Sequence, residues 1–594
     1  MADPHQIANP ASSGGEGTYF EQHANAYWLA LLLVDSIPPV ALDGTISKVS
    51  FQTEHLGWST DDVLITSRTS SSQIRQLACQ VKTTLTIGAG NDEFSATIVD
   101  AWRDFSSATV FRENIDAFAI VTQLGTNVVL RDFAGLLECA RASATLADFE
   151  HRLTTPGFVN AQVRTHAGVI KEILETHEGG AVTGERLWRF LRHLYVLSLD
   201  LNTATSQTAA LVRTLLAHTA TDADRLAAAA ATWNELLAEV SHGAPRAREY
   251  ERTSLPESIL ARHAPLSTTD RRALDRLANH SRVILSGIRT TIGDDFHLPR
   301  TQVIAKLLDD LERSRVLLVA GTAGSGKSAI VKEAAELLER DQFVFAFRAE
   351  ELAQPHLDIT LTTMGIPLSA EELSGVLAGQ PRKILIVESV ERLLEASSRD
   401  AFTDLLRFVR DDPTWRLILT CRDYSIELLR AAVLHAAATT HGTLHIPPLT
   451  DDELEEAANH APIVRRLLAS DRLRALLRNP YILNMAVRMP WRDDDRLPES
   501  EREFRGHFWR SSVRAEDRRE GGLPQRRADA FMQICARRAQ ALTLFASTSG
   551  LDVEAVKALE NDSLVVMSPE NRALAAPAHD VLEDWGVIEW IEHL

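Results

Sequence analysis

The stretch Gly321, Thr322, Ala323, Gly324, Ser325, Gly326, Lys327 and Ser328 constrains this chain more than any other part of it. It follows an apolar run at 316–320 and opens a helix-forming run at 328–338, which is the context a G-x-x-x-x-G-K-S phosphate loop requires. Its glycines let the backbone curl so that successive N–H groups aim at phosphate oxygens, and the helix N-terminus adds partial positive charge. The motif therefore implies ATP or ADP as a ligand, with Lys327 reaching the β- and γ-phosphates and the Ser328 hydroxyl on Mg2+. Strand-like runs at 343–347, 384–387 and 417–420 alternate with helical ones, which predicts a parallel α/β sheet around the loop.

Two of those runs end in groups suited to the same ligand. The strand ending at Val387 is followed by Glu388, where a Walker B acid, usually Asp, holds the metal's water shell. The extra methylene of Glu is compatible with metal binding but disturbs a finely placed hydrolytic geometry, so slow turnover is expected. Glu391, one helical turn on, is a candidate for orienting water; as a plain acid at a helix start it would only favour the dipole. Arg422 follows a buried strand beside the expected γ-phosphate and is read as a phosphate sensor, with pairing to Asp423 or Glu427 as its structural alternative.

Length and composition set the surroundings. At roughly 150 residues per domain, 594 residues imply about four units. Four scattered cysteines (Cys79, Cys139, Cys421, Cys535) argue against a disulfide framework or zinc site and fit a reducing cytoplasm. The apolar run at 28–34 is far short of the roughly 20 residues that span a bilayer, so no membrane is expected. The net charge of −19 gives no sign of binding nucleic acid through phosphate neutralisation alone. Residues 1–17 are rich in Pro, Gly and Ser and read as a disordered lead-in, while 226–240, with its alanine run, reads as a helix in an arm between domains.

The nucleotide motifs, followed by Arg478, Asn479, Pro480 and Tyr481 and then by Ala578, His579 and Asp580, resemble the STAND class of signal-transducing ATPases, over roughly 300–594. That resemblance implies that Pro480 packs near the nucleotide base and that His579 contacts the β-phosphate of ADP in a closed state. It also implies ATP-driven assembly into a homo-oligomer, a tetramer. The resemblance also implies a sensor domain after the winged helix, whereas this sequence stops fifteen residues past His579, so either a longer natural chain or a sensor supplied in trans is expected, with a viral protein as the implied trigger.

The N-terminal part carries a second constellation. Asp62 begins a strand-like run, Gln80 and Lys82 alternate on the next, and a hairpin would bring the three together. Glu21 shares a helical face with Trp28 and Leu32, placing a carboxylate on an apolar side. By chance alone these could be a turn cap and a solvated lysine. Read with Gly17 to Glu21, they resemble the PD-(D/E)XK fold, in particular the Mrr-like and double-stranded-DNA nuclease effectors that precede STAND modules in bacterial antiviral (Avs-type) proteins. The resemblance implies Mg2+ held by Asp62 and Gln80, with Lys82 positioning the nucleophile and double-stranded DNA as substrate.

The expected architecture is multidomain α/β: a PD-(D/E)XK nuclease module at 1–215, a helical arm at 216–297, a P-loop NTPase at 298–430, a helical domain at 431–490 and a winged helix at 491–594. The metal ligands are Asp62 and Gln80 in the first module, Ser328 and Glu388 in the NTPase. Residues 1–130 hold six basic and fourteen acidic residues, so cutting is expected to need metal and clustering of several copies. The other readings are a switch whose N-terminal module only recruits a partner, and a restriction-type ATPase that moves along DNA.

Overall fold

The computed structural model describes residues 15–593 except 41–43, 70–72, 124–127, 156–158, 202, 204–205, 267, 340–341, 381, 395, 397, 435–439, 492–495, 517–522, 542 and 569–570. The lead-in as far as residue 14 and part of the Ser-rich turn expected at 67–72 lie outside the described residues.

The first module is a mixed sheet of six strands: β1 (Thr45–Phe51), β2 (Val63–Arg68), β3 (Ile74–Lys82), β4 (Ala117–Gln123), β5 (Leu194–Leu199) and β6 (Glu249–Glu251), in the order β5-β4-β3-β2-β1-β6. The first three form an antiparallel meander, β3, β4 and β5 run parallel, and β6 joins β1 antiparallel. Strand alternation divides its side chains: Val63, Ile65, Cys79 and Val81 enter one core, Leu64, Ala78, Phe118 and Ile120 the other.

The helix Gly15–Leu33 lies in the first of these cores and is buried on every side from Ala24 onward, Trp28 and Leu32 included. A helix apolar all round is one enclosed by other elements rather than laid on a surface. The enclosing elements are the sheet and the helices Gln207–Thr219 and Arg225–Gly243, which contribute Leu215, Leu216, Trp233 and Leu236 to the same cluster. The alanine-rich helix read as part of an arm is thus a wall of the first core, and β6 follows it into the sheet. The rest of the 216–297 segment goes elsewhere: helix Thr268–Ser286 packs Ala273 and Leu277 into the next module, where Ser281 Oγ accepts a hydrogen bond from Ala346 N at 2.9 Å.

After a two-stranded hairpin, β7 (Thr291–Ile292) and β8 (Phe296–His297), comes a fully parallel sheet of β9 (Val316–Gly321), β10 (Phe343–Arg348), β11 (Lys383–Glu388), β12 (Trp415–Arg422) and β13 (Gly442–His445), in the order β10-β11-β12-β9-β13. Leu318, Ala320, Leu385 and Val387 face one apolar cluster, Leu317, Val319, Ile384 and Ile386 the other, as expected of a sheet covered on both faces. The edge strand β13 lies past the boundary expected at 430.

The remaining elements are short helices from Asp451 to Arg488, the helices Leu523–Ala541, Val553–Asn561 and Asp580–Glu592, and a small sheet of β14 (Ala546–Ser547), β15 (Val565–Met567) and β16 (Leu574–Pro577) ordered β14-β16-β15. The two C-terminal segments share one core, in which Leu454, Leu467 and Ile482 meet Phe504, Phe531 and Trp585. No helix among the described residues is long and apolar enough to cross a membrane.

Candidate functional site

The phosphate loop turns between β9 and the helix Lys327–Leu338. Gly324 and Gly326 take φ values of +76° and +88°, a region that favours glycine. Gly324 is also fixed by a neighbour: a Cβ there would stand 2.6 Å from Asn479 Oδ1 and 2.8 Å from Tyr481 Cβ. The helical segment is thus pressed onto the loop. Asn479 Nδ2 donates to Ala323 O at 2.8 Å, Tyr481 N donates to Gly324 O at 3.2 Å, and a Cβ on Gly326 would touch the Pro480 ring at 3.7 Å. Lys327 folds back so that Nζ donates to Gly321 O and Thr322 O at 3.0 and 2.9 Å. Burial lowers its pKa, which favours a lysine that can exchange carbonyls for phosphate.

Glu388 is buried at the C-terminal end of β11. One oxygen accepts from Ser328 Oγ at 2.5 Å and Thr420 Oγ1 at 3.1 Å, while Oε1 is buried without a partner. Burial raises its pKa, so a divalent cation beside it would satisfy the orphaned oxygen and hold the carboxylate ionised. Ser328 and Glu388 therefore fit a metal. Ser389, next in the chain, adopts φ +60° and donates its N–H to Thr420 Oγ1 at 2.8 Å, so the strand end is turned sharply at the site.

Arg422 does not pair with Asp423 or Glu427, which go to His445 and Arg430. It lies 3.5 Å from Glu391 and forms an ion pair with Asp580 at the start of the helix Asp580–Glu592. Burial opposes the guanidinium's charge, but Asp580, Tyr424 and Glu391 outweigh it and hold its pKa above the ordinary value. Glu391 has one carboxylate oxygen buried without a hydrogen bond, and burial raises its pKa. His579 caps the helix Asp580–Glu592, its Nδ1 accepting from Val581 N at 3.1 Å, and stacks on Tyr481 with ring centroids 3.5 Å apart. Burial first, then Lys327 and Arg422, pushes its pKa down to about 4, so it is neutral at pH 7. No local pattern marks Asp580 as the partner of Arg422, nor Asn479 and Tyr481 as the residues hydrogen-bonded to the loop.

The β2–β3 hairpin brings the N-terminal residues together. Asp62 Oδ2 accepts from Gln80 Nε2 at 2.6 Å and from Val81 N at 2.7 Å. Lys82 lies 3.7 Å from Glu93 at the start of the helix Asp92–Ser106. Gln80 and Lys82 share the strand face of Ala78, whereas the helix carrying Glu21 covers the opposite face. Glu21 is nonetheless close enough for its charge to act on Asp62, and Lys82 acts on both. Burial pushes the Asp62 carboxyl up to about 6, and the Glu21 carboxyl also titrates high, chiefly from burial. Buried Asp104, which sequence reasoning missed, accepts from Ser59 N and Thr60 N at 2.7 and 2.8 Å and so fixes the turn that presents Asp62. Among the described residues no group of three His, Cys, Asp or Glu is placed to hold a metal ion.

Residues 293–477 match the family described as Novel STAND NTPase 1 (nSTAND1). The nucleotide-binding segment is similar to the STAND NTPases. None of the curated proteins matches the chain. Solved structures that overlap with it include the Walker-type ATPase PABY2304 of Pyrococcus abyssi, at 13% identity and a TM-score of 0.27, covering 51% of this chain and 99% of that one. AMPPCP-bound DnaA from Aquifex aeolicus overlaps at 14% identity and a TM-score of 0.23, covering 47% and 80%. The STAND-like segment holds the phosphate loop, Glu388, Glu391 and Arg422, whereas His579, Asp580 and the whole N-terminal module lie outside it.

Proposed function

We propose that the chain is a nucleotide-dependent STAND-type switch that assembles in its ATP state and thereby turns on an N-terminal Mg2+-dependent endonuclease acting on double-stranded DNA, in defence against bacteriophage. The observation that carries the switch is Arg422, held between Glu391 of the P-loop domain and Asp580 of the winged helix at the end of a phosphate-binding sheet. A γ-phosphate near Arg422 competes with Asp580 for the guanidinium, so ATP favours the state in which the winged helix has let go. His579, neutral and stacked on Tyr481 beside the loop, is suited to an ADP-bound closed state.

The nuclease assignment is supported by the joining of Asp62 and Gln80 on adjacent strands with Lys82 and Glu21 beside them. Magnesium, when bound, polarises the scissile phosphate and lowers the pKa of water. Asp62 supplies a carboxylate oxygen, and Gln80 supplies its amide oxygen once the amide has rotated away from Asp62. Lys82 orients the attacking water. The acidity of the module makes productive DNA binding depend on clustering of subunits, homotetramers being the expected form, and on low salt.

A second reading is favoured by one specific observation: Asp62 Oδ2 is already taken by two donors, and the described residues hold no three-ligand acid or histidine cluster. On that reading the module recruits a partner and cuts nothing. Incubating the full chain with plasmid, ATP and Mg2+ separates the two. Degradation that is lost in Lys82→Ala and in EDTA supports the nuclease; an intact plasmid with assembled protein supports recruitment.

A further inference from the structure

Two seams run along the P-loop domain, and they are built differently. The seam facing the C-terminal half is held mainly by polar contacts, Asn479 to Ala323 O, Tyr481 N to Gly324 O and Arg422 to Asp580, with Ala323 as the loop's apolar contact to the C-terminal core. The other lies where the N-terminal module meets the helix Ala370–Leu377 and the turn between it and β11. There Ala378 belongs to the same apolar cluster as Leu31 and Leu215. Tyr27, 1% exposed, donates its Oη hydrogen to Gly379 O at 2.9 Å, and Gln380 Nε2 donates to Ile37 O at 3.2 Å.

Two glycines of this segment let its backbone lie directly against side chains of the N-terminal module. A Cβ on Gly379 would stand 2.9 Å from both Leu31 Cδ2 and Leu215 Cδ2, and one on Gly375 would stand 2.7 Å from His218 Nδ1. Interiors packed this closely behave as solids rather than as sliding surfaces. Behind the turn, Lys383 is fully buried, and its Nζ donates to Leu377 O at 3.2 Å, Gln380 O at 3.4 Å and Asp412 Oδ2 at 2.9 Å. Lys383 begins β11, whose far end is Glu388, and Tyr27 shares its helix with Glu21. A continuous packed path thus joins the two candidate sites.

We propose that this second seam is a permanent joint: the N-terminal module and the P-loop domain move as one rigid body through the nucleotide cycle, and opening is confined to the polar seam. Parting the joint exposes Tyr27, Leu31, Leu215 and Ala378 to water, an apolar cost that nothing returns. Parting the polar seam exchanges hydrogen bonds and ion pairs for water or phosphate, with a small net change for each. The inference rests on the switch reading of the nucleotide site, and its test separates the two.

In the full chain carrying His218→Cys with Gly375→Cys, the new pair is suited to a disulfide across the joint, since the substitution removes the His218 ring that a Cβ at Gly375 would meet, the two Cβ positions lie 3.1 Å apart and the four native cysteines are buried. ATP-dependent assembly, followed by light scattering, is expected to be unchanged by oxidation. Assembly lost on oxidation and regained with dithiothreitol overturns the joint. Amide exchange on the unmodified chain asks the same question without a variant. The amides of 375–380 and 207–219 are expected to stay as protected with ATP as with ADP while those of 579–592 gain exchange. A rise at 375–380 with ATP, or exchange there faster than in β9 to β12 in any nucleotide state, overturns the joint. Absence of any nucleotide binding by the wild-type chain instead removes the switch.

Discussion

Asp62 and Glu388 are the same device used in two settings. Each is a carboxylate at a strand end, raised in pKa by burial and accompanied by a lysine; two hydroxyls donate to Glu388, a side-chain amide and a backbone N–H to Asp62. The difference lies in what stands over them. Glu388 meets Ser328, Thr420, Glu391 and Lys327, and on Lys327 and Arg422 converge Asp580 and His579 from the C-terminal part, so the site depends on how distant parts of the chain are arranged. Around Asp62 the partners come from one hairpin, and the facing lysine pairs with a largely exposed acid, Glu93. A site built from distant elements reports conformation; a site built from one hairpin is formed once the module folds.

The comparison breaks most sharply at the lysines. Lys82→Ala is expected to lower plasmid cutting by about 10²–10⁴-fold, the usual range for a group that positions or activates a nucleophile, and to leave ATP-driven assembly unchanged. Cutting that survives the change removes Lys82 from the site. Lys327→Ala is expected to weaken ATP and ADP binding by about 100-fold or more, as loss of a buried charge contact to phosphate does, with assembly lost as well. Calorimetric titration reads the first and light scattering the second.

Asp580→Asn tests whether the nucleotide site senses arrangement. It removes the charge that holds Arg422 to the C-terminal helix Asp580–Glu592, and the ratio of ATP to ADP affinity is expected to rise by roughly 5–150-fold, the span of ordinary coupling energies. An unchanged ratio means that the ion pair is structural only. Glu560→Gln, in a solvent-exposed pair with Arg572, serves as the control that should leave the ratio alone.

The smallest effect is one of pH. The Asp62 carboxyl titrates at about 6, above the ordinary value of 3.8, so the folded module holds that proton more tightly than the unfolded chain. Ionisation therefore costs folded-state stability as the pH rises through that window, and divalent metal offsets the cost. Cutting is expected to fall about tenfold per pH unit below about 6, with the fall moving to lower pH as Mg2+ is raised, because proton and cation compete for one oxygen. A profile that ignores Mg2+ concentration places the controlling group elsewhere.

Much of the fold was legible because it depends on neighbours in sequence. Glycine spacing, the apolar strand before it and the helix after it specify a phosphate loop without help from distant residues, and alternation on β3 put Gln80 and Lys82 on one face. Boundaries were less legible where an element's role lies in what covers it. The alanine-rich helix Arg225–Gly243 has the composition of a spacer yet walls the first core, and β13, with Leu444 as its only large apolar residue, has too little pattern to register as a strand.

By itself, then, the sequence determined which local chemistries the chain can carry: a phosphate loop, an acid at the end of β11, and a carboxylate, amide and lysine on one hairpin. Each is set by bond geometry over a few residues. Tertiary structure alone decided that Arg422 answers to Asp580, that Tyr481 stacks on His579, and that Gly379 is close-packed beneath Leu31 and Leu215. Those choices join residues 158, 98 and 348 positions apart, counting from Gly379 to Leu31 for the last. Burial and packing select such partners only once the whole chain has closed on its cores.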